Sequence, residues 1–395
     1  MKLRSKLSLI AAAAVVSHAG LAGAQVIPAM LTGYTVVHQF TGYDGSSPRS
    51  GLIASADGNF YGTTFSGGVY GKGTVFAMTP AGVITTLYNF SGTDGSGPTG
   101  VIELPTGELA GVTYAGGSSS AGVAFKVTKG GSMTVLHSLN GTTEGNSFAG
   151  TLVRASDGNL YGATSYAGSN ACGTVVRVTT AGVFTVLANF TGATHGCSGK
   201  GTLLQAPDGY LYGTAEGAGA SGFGTVYKVS TSGALSTVIT FNGANGKVPK
   251  DGLSQNAGYL FGVTYAGGTG ACSSTGGCGT VFRFTTSGVF QSLHQFSDQT
   301  APTGAYPHGP LLATADGVLR GVTEGGGYVQ GTTYQMTQAG LQYSITHNFV
   351  SPTGSMPSGS LVRLGNGGLY GVTPGGSGNS YNGVVFGLPF NGTGY

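Results

Sequence analysis

Residues Asp57–Phe90, DGNFYGTTFSGGVYGKGTVFAMTPAGVITTLYNF, decide the fold, because the chain repeats their plan seven times. The plan is a DG turn, an apolar pair before a glycine, a Gly-rich gap, GTVF, a TPAG turn and LYNF. The landmark at Phe60 recurs at Leu109, Leu160, Leu211, Leu260, Leu319 and Leu369, at spacings of 49, 51, 51, 49, 59 and 50 residues. A period near fifty marks stacked supersecondary units. Inside each unit, short runs of alternating apolar residues are separated by turn signals, and no window has a helical period. Asp-Gly between such runs predicts a hairpin, since a type I′ turn needs positive φ at both central residues. Four antiparallel strands per unit and seven units predict an all-β, seven-bladed β-propeller. A β-solenoid is the alternative, but its coils are usually shorter.

The ends support a closed ring. YTVVHQF, Tyr34–Phe40, precedes the first unit as an orphan strand, and the last unit stops after GVVFGLPF, Gly383–Phe390, without one. Pairing the two would complete the last blade and remove an exposed edge.

Residues 1–24 read as a secretion signal: Lys2, Arg4 and Lys6, an apolar run from Leu7 to Val16, then Ala22-Gly23-Ala24. The run is too short to span a bilayer. Residues 25–395 are expected to form one propeller domain. Three of the 16 basic residues lie in the signal, so the mature chain is formally neutral against its 13 acidic residues. That balance removes the case for nucleic acid. Only 7% of residues are charged and 40% are apolar, with 77 glycines. Asn391–Tyr395 carries no hydrophobic anchor, so the expected product is soluble, without a membrane span, monomeric, and periplasmic or secreted. In such a compartment four cysteines predict disulfides, Cys272–Cys278 within one loop and Cys172–Cys197 between two loops of one face. No metal site or cofactor is legible.

At GTVF, LYGTT and LHxF the units resemble the tandem "GloVer" repeat of secreted bacterial proteins, which implies export and repeat architecture but no chemistry. Unit six alone, PHGPLLATADGVLRGVTE (Pro307–Glu324), also resembles blades of streptogramin (virginiamycin B) lyases, which read roughly PHGI…DG.LWFTE. Arg320 and Gly321 stand where that family has an aromatic pair. This second resemblance implies that His308 and Glu324 serve a Mg²⁺-assisted elimination.

Repetition allows a subtraction: residues that recur at one position are scaffold, and exceptions are candidates. His38, His137, His294 and His347 share one place in the last strand, where other units carry Tyr88 and Ala188, and read as packing residues. His195 and His308 remain, both in loops that lead into the innermost strand of the next blade. Those loops align without gaps as GSSPRSGL, GSGPTGVI, GNSFAGTL, GCSGKGTL, GKVPKDGL, GAYPHGPL and GSMPSGSL. After the Pro-like position come Arg49, Thr99, Ala149, Lys200, Lys250, His308 and Ser358. Four potentially cationic groups thus share one level at the channel mouth. Like charges facing one cavity repel, so the fold alone has little reason to gather them.

Glu216 and Glu324 follow the second strand on the same face, where other units have Phe65, Tyr114, Ser165, Tyr265 and Pro374. Pockets that collect titratable groups are default site candidates. The expected ligand is a carbohydrate or another anionic molecule, such as a uronate-bearing polysaccharide, with Tyr114 and Tyr265 available for stacking. The enzymatic alternative is a lyase in which His308 or Glu324 abstracts a proton and Arg49, Lys200 or Lys250 neutralises charge. Asp57, Asp157, Asp208 and Asp316 read as hairpin turns on the opposite face.

Overall fold

The computed structural model describes residues 33–272, 276–297, 303–326, 330–350, 353–364, 367–376 and 382–389. The signal segment, Phe390 and Asn391–Tyr395 lie outside them. Seven antiparallel sheets follow one another along the chain, with strands paired in chain order within a sheet except in the third and the last. The first is Ile53–Ala54, Phe60–Thr64, Thr74–Met78 and Ile84–Asn89. In the third the innermost strand is broken into Asn146–Phe148 and Val153–Arg154. Among the described residues one helical turn occurs, Gly192–His195, which was not foreseen and lies between blades three and four.

The last blade joins both ends. Thr35–Gln39 pairs with Val384–Leu388, which pairs with Leu369–Thr373 and through it with Ser358–Arg363. Phe40 N donates to Gly383 O at 3.1 Å. Tyr34 stacks on His347 at 3.9 Å and donates its hydroxyl proton to Thr353 O at 2.5 Å. The ring is closed.

The repeated residues explain themselves in packing. Second strands such as Phe60–Thr64 are buried throughout, so they lie between neighbours and carry no solvent-facing alternation. The apolar core is distributed between blades: Phe40, Tyr370 and Val372 of the last blade pack with Leu52, Phe60 and Phe76 of the first. Each such aromatic contributes about 1.5–3 kcal/mol by leaving water. On the face away from the mouth, Tyr61, Tyr161 and Tyr212 donate to Asp57, Asp157 and Asp208 at 2.7, 2.6 and 2.6 Å, fastening each hairpin turn to its second strand. Arg320 does the same to Asp316 at 3.0 Å in blade six.

Around the axis the inner strands come so close that at Gly201 and Gly359 a side chain is excluded. A Cβ on Gly201 would strike Gly252 N and the Asp251 carbonyl carbon, and one on Gly359 would strike Gly51 N. These are the positions one residue after the variable mouth residue. Both expected disulfides are formed, Cys172–Cys197 joining the blade-three loop to the strand Cys197–Gln205, and Cys272–Cys278 within blade five. Among the described residues no helix is long and apolar enough to cross a membrane.

Candidate functional site

The loops entering the inner strands share one backbone device. The residue just before the Pro-like position has positive φ in every blade: Ser47, Gly97, Ser147, Ser198, Val248, Tyr306 and Met356, between 53° and 65°. Left-handed backbone at six residues other than glycine, one of them β-branched, costs energy and persists only where the surroundings over-determine it. The kink turns each chain toward the axis, and the residue two places on arrives at the channel mouth.

There the structure forms a cavity of about 740 Å³, within the size range of small-molecule sites. Arg49, Lys200, Lys250 and His308 all line it, with Phe65, Tyr114 and Glu216. Tyr265 and Glu324 are not in the lining, and both contact Lys250. His195 is not brought to the cavity: it closes the short helical turn, its Nδ1 2.9 Å from Thr191 Oγ1.

The charges are organised differently from an unmatched cationic ring. Lys200 Nζ lies 3.5 Å from Glu216 Oε2, and Lys250 Nζ lies 3.6 Å from Glu324 Oε2. The two glutamates that break the second-strand pattern are therefore counter-ions of the two lysines. Lys250 Nζ also sits 3.5 Å above the Tyr265 ring, Arg49 rests 4.2 Å over Phe65, and Lys200 is 5.9 Å from Tyr166. Cations over aromatic faces are attracted by the ring quadrupole. Burial and the neighbouring Glu324 push the Tyr265 hydroxyl up to about 12, so it stays protonated at neutral pH. Tyr265 stacks in turn on Tyr306, 5.2 Å between ring centres.

Blade six adds a different pair. His308 Nδ1 faces Asp251 Oδ1 at 3.3 Å, with 24% of the histidine side chain and 9% of the aspartate side chain exposed. Burial lowers the His308 pKa. Asp251 and Glu324 oppose this, while Lys250 and Arg49 add to it. The imidazole is neutral at pH 7. Asp251 is held from its backbone, whose carbonyl accepts from Thr214 Oγ1 at 2.8 Å. Sequence reasoning missed Asp251. It stands at the second position of the mouth motif, where the other units carry Ser50, Gly100, Gly150, Gly201, Gly309 and Gly359, and the same subtraction that singled out His308 would have found it. Tyr166 was missed because it lies one residue past the second-strand exceptions, and Tyr306 because it stands just before the Pro-like position, two places short of the residues compared.

The magnesium implied by the lyase resemblance does not fit these residues. Glu324 is turned to an ammonium group, His308 to Asp251, and among the described residues no three His, Cys, Asp or Glu side chains converge to hold a metal ion.

The family model of the Gloeobacter/Verrucomicrobia repeat matches residues 16–205 and 193–386. A search among curated proteins finds no match. Among solved structures the chain is similar to a GH74 enzyme of Niastella koreensis, with TM-score 0.60 and 16% identity over 88% of this chain and 53% of that one. It spans about half the length of that enzyme. A protein of unknown function from Bacteroides thetaiotaomicron aligns at TM-score 0.47 and 12% identity over 90% of this chain and 75% of that one. A luciferin-regenerating enzyme aligns at 0.47 and 12% over 91% and 96%. At 16% identity the likeness to the GH74 enzyme is one of fold.

Proposed function

This chain belongs to the Gloeobacter/Verrucomicrobia repeat family, and from that premise we propose that it is an exported binding propeller whose channel mouth takes a carbohydrate. One observation carries the reading: the cavity lining holds aromatic rings, Phe65 and Tyr114, together with lysines already matched by glutamates. The flat face of Tyr114 suits the C–H face of a sugar ring, and Phe65 seats Arg49 at the same wall. Ion pairs at 3.5 and 3.6 Å offer donors and acceptors side by side, the combination a hydroxyl needs. Export is supported by the two disulfides.

The lyase alternative has less support. Elimination α to a carboxylate needs a cation beside the base, and of the two that act on His308, Lys250 already faces Glu324 and Arg49 is seated over Phe65. A glycan array followed by titration calorimetry tests the binding reading. Phe65→Ala and Lys250→Ala are each expected to weaken the best glycan about tenfold, or 1.4 kcal/mol. Unchanged affinity in both variants would remove the mouth from consideration.

A further inference from the structure

We propose that His308 and Asp251 form a hydroxyl-accepting subsite, in which Asp251 fixes the imidazole with its proton on Nδ1 and the Nε2 lone pair receives a donated hydroxyl of an uncharged sugar unit. The proposal rests on the saccharide reading above and names which part of a glycan this end of the mouth admits.

Three observations lead to it. First, His308 Nδ1 is buried, lies 3.3 Å from Asp251 Oδ1, and has no hydrogen bond among the described residues. A lone pair facing a carboxylate oxygen at that distance would repel it, so the proton belongs on Nδ1. The other nitrogen is then an acceptor, because a neutral imidazole has one of each. Second, Asp251 is over nine-tenths buried on the cavity wall, and its Oδ2 has no partner either. A buried carboxylate oxygen without a donor costs about 1–3 kcal/mol, and six of the seven blades avoid it with glycine or serine at that position. A residue kept there against stability serves something other than the fold. Third, among the described residues no group is hydrogen-bonded to Nε2, and His308 lines the cavity with about a quarter of its side chain exposed.

The charges that act on His308 are those of Asp251, Lys250, Glu324 and Arg49, with Asp251 in contact. The two carboxylates and two cations on this side balance, so no net positive charge draws a uronate carboxylate, whereas a sugar hydroxyl can donate to Nε2 and accept from Lys250. Protonation of the ring turns Nε2 from acceptor to donor and abolishes this recognition.

The test uses ¹⁵N-histidine-labelled protein with cellohexaose, mannohexaose and hexagalacturonate as probes of equal length. In the free protein the His308 signals should show a pyrrole-type Nδ1 and a pyridine-type Nε2. Asp251→Asn, whose amide can donate to Nδ1, should shift the ring toward the opposite tautomer. A neutral hexasaccharide should bind more tightly than hexagalacturonate. His308→Phe should weaken it about tenfold, and affinity should fall as pH drops through the His308 titration. His308→Gln, which keeps an acceptor, should restore part of the affinity without the pH dependence. A free protein with Nε2 protonated, or hexagalacturonate binding best and insensitive to His308→Phe, overturns the subsite and leaves the mouth reading standing. If none of the three hexasaccharides binds, both fail; the tautomer signals would then report a histidine pair without this role.

Discussion

Histidines in two regions of the ring live under different rules. On the outermost strands four of them share one repeated position. His38 and His137 reach Asp44 and Glu144 at 2.8 and 3.0 Å, and in blade one Tyr88 replaces the histidine and reaches Asp94 at 2.5 Å. His294 and His347 instead lie flat on Tyr343 and Tyr34 at 4.0 and 3.9 Å. The position asks only for a flat, partly polar filler, and several chemistries satisfy it. At the mouth, His308 has no counterpart in any other blade, and its partner Asp251 has none either. Recurrence marks what the fold requires, and isolation marks what it does not.

The largest effect that would break this contrast is expected at the axis itself. Gly201→Val would drive a branched side chain into the Asp251–Gly252 backbone at a residue with φ of +66°. Backbone cannot yield as a side-chain tip can, so the loss should exceed about 4 kcal/mol, the range of severe core defects. Thermal melting checks it: a variant that folds with an unchanged midpoint would show that the inner strands do not meet as described.

Next in size is a pH effect at the outer edge. Burial against Tyr343 and Phe296 lowers the His294 pKa to about 4 from its ordinary 6.5. Between those values the unfolded chain binds the proton and the folded chain does not, so stability is lost as pH falls from about 6.5 toward 4. The loss is at most about 3 kcal/mol, and less where solvent screens the ring. Urea melts of the wild type and His294→Phe at pH 7 and 4.5 measure it, with the variant expected to lose less on acidification. Equal losses would mean that the position does not govern acid stability.

A smaller effect separates the two faces. Tyr161→Phe removes the hydroxyl that fastens Asp157, at 2.6 Å, and should cost about 1 kcal/mol. The equivalent change at Tyr212 should cost about the same, since the geometry repeats at 2.6 Å. Unequal losses would contradict the equivalence of blades on that face.

The same contrast explains what was legible beforehand. Strand number, blade count and closure followed from period and turn chemistry, because DG turns and the orphan Tyr34–Phe40 leave few alternatives. Both cysteine pairs followed from loop position. The charge pattern of the mouth did not, since pairing of Lys200 with Glu216 depends on how far two side chains lean across one blade. His195 was grouped with His308 by loop, yet one helical turn at Gly192–His195 carries it away from the cavity. A gapless alignment cannot register that turn.

The smallest stability effect is expected at the mouth, and there smallness is the informative result. Lys200 is paired at 3.5 Å, but such partly exposed pairs contribute about 0–1 kcal/mol. Asp251→Asn removes a buried carboxylate whose Oδ2 has no partner, so its melting point should equal or slightly exceed that of the wild type, as at sites where function opposes stability. Lys200→Ala should change stability by less than about 1 kcal/mol. Differential scanning calorimetry on both variants, beside Tyr161→Phe, provides the comparison. A drop for Asp251→Asn larger than that for Tyr161→Phe would make Asp251 part of the scaffold, and its solitary position among seven blades would then need a structural cause.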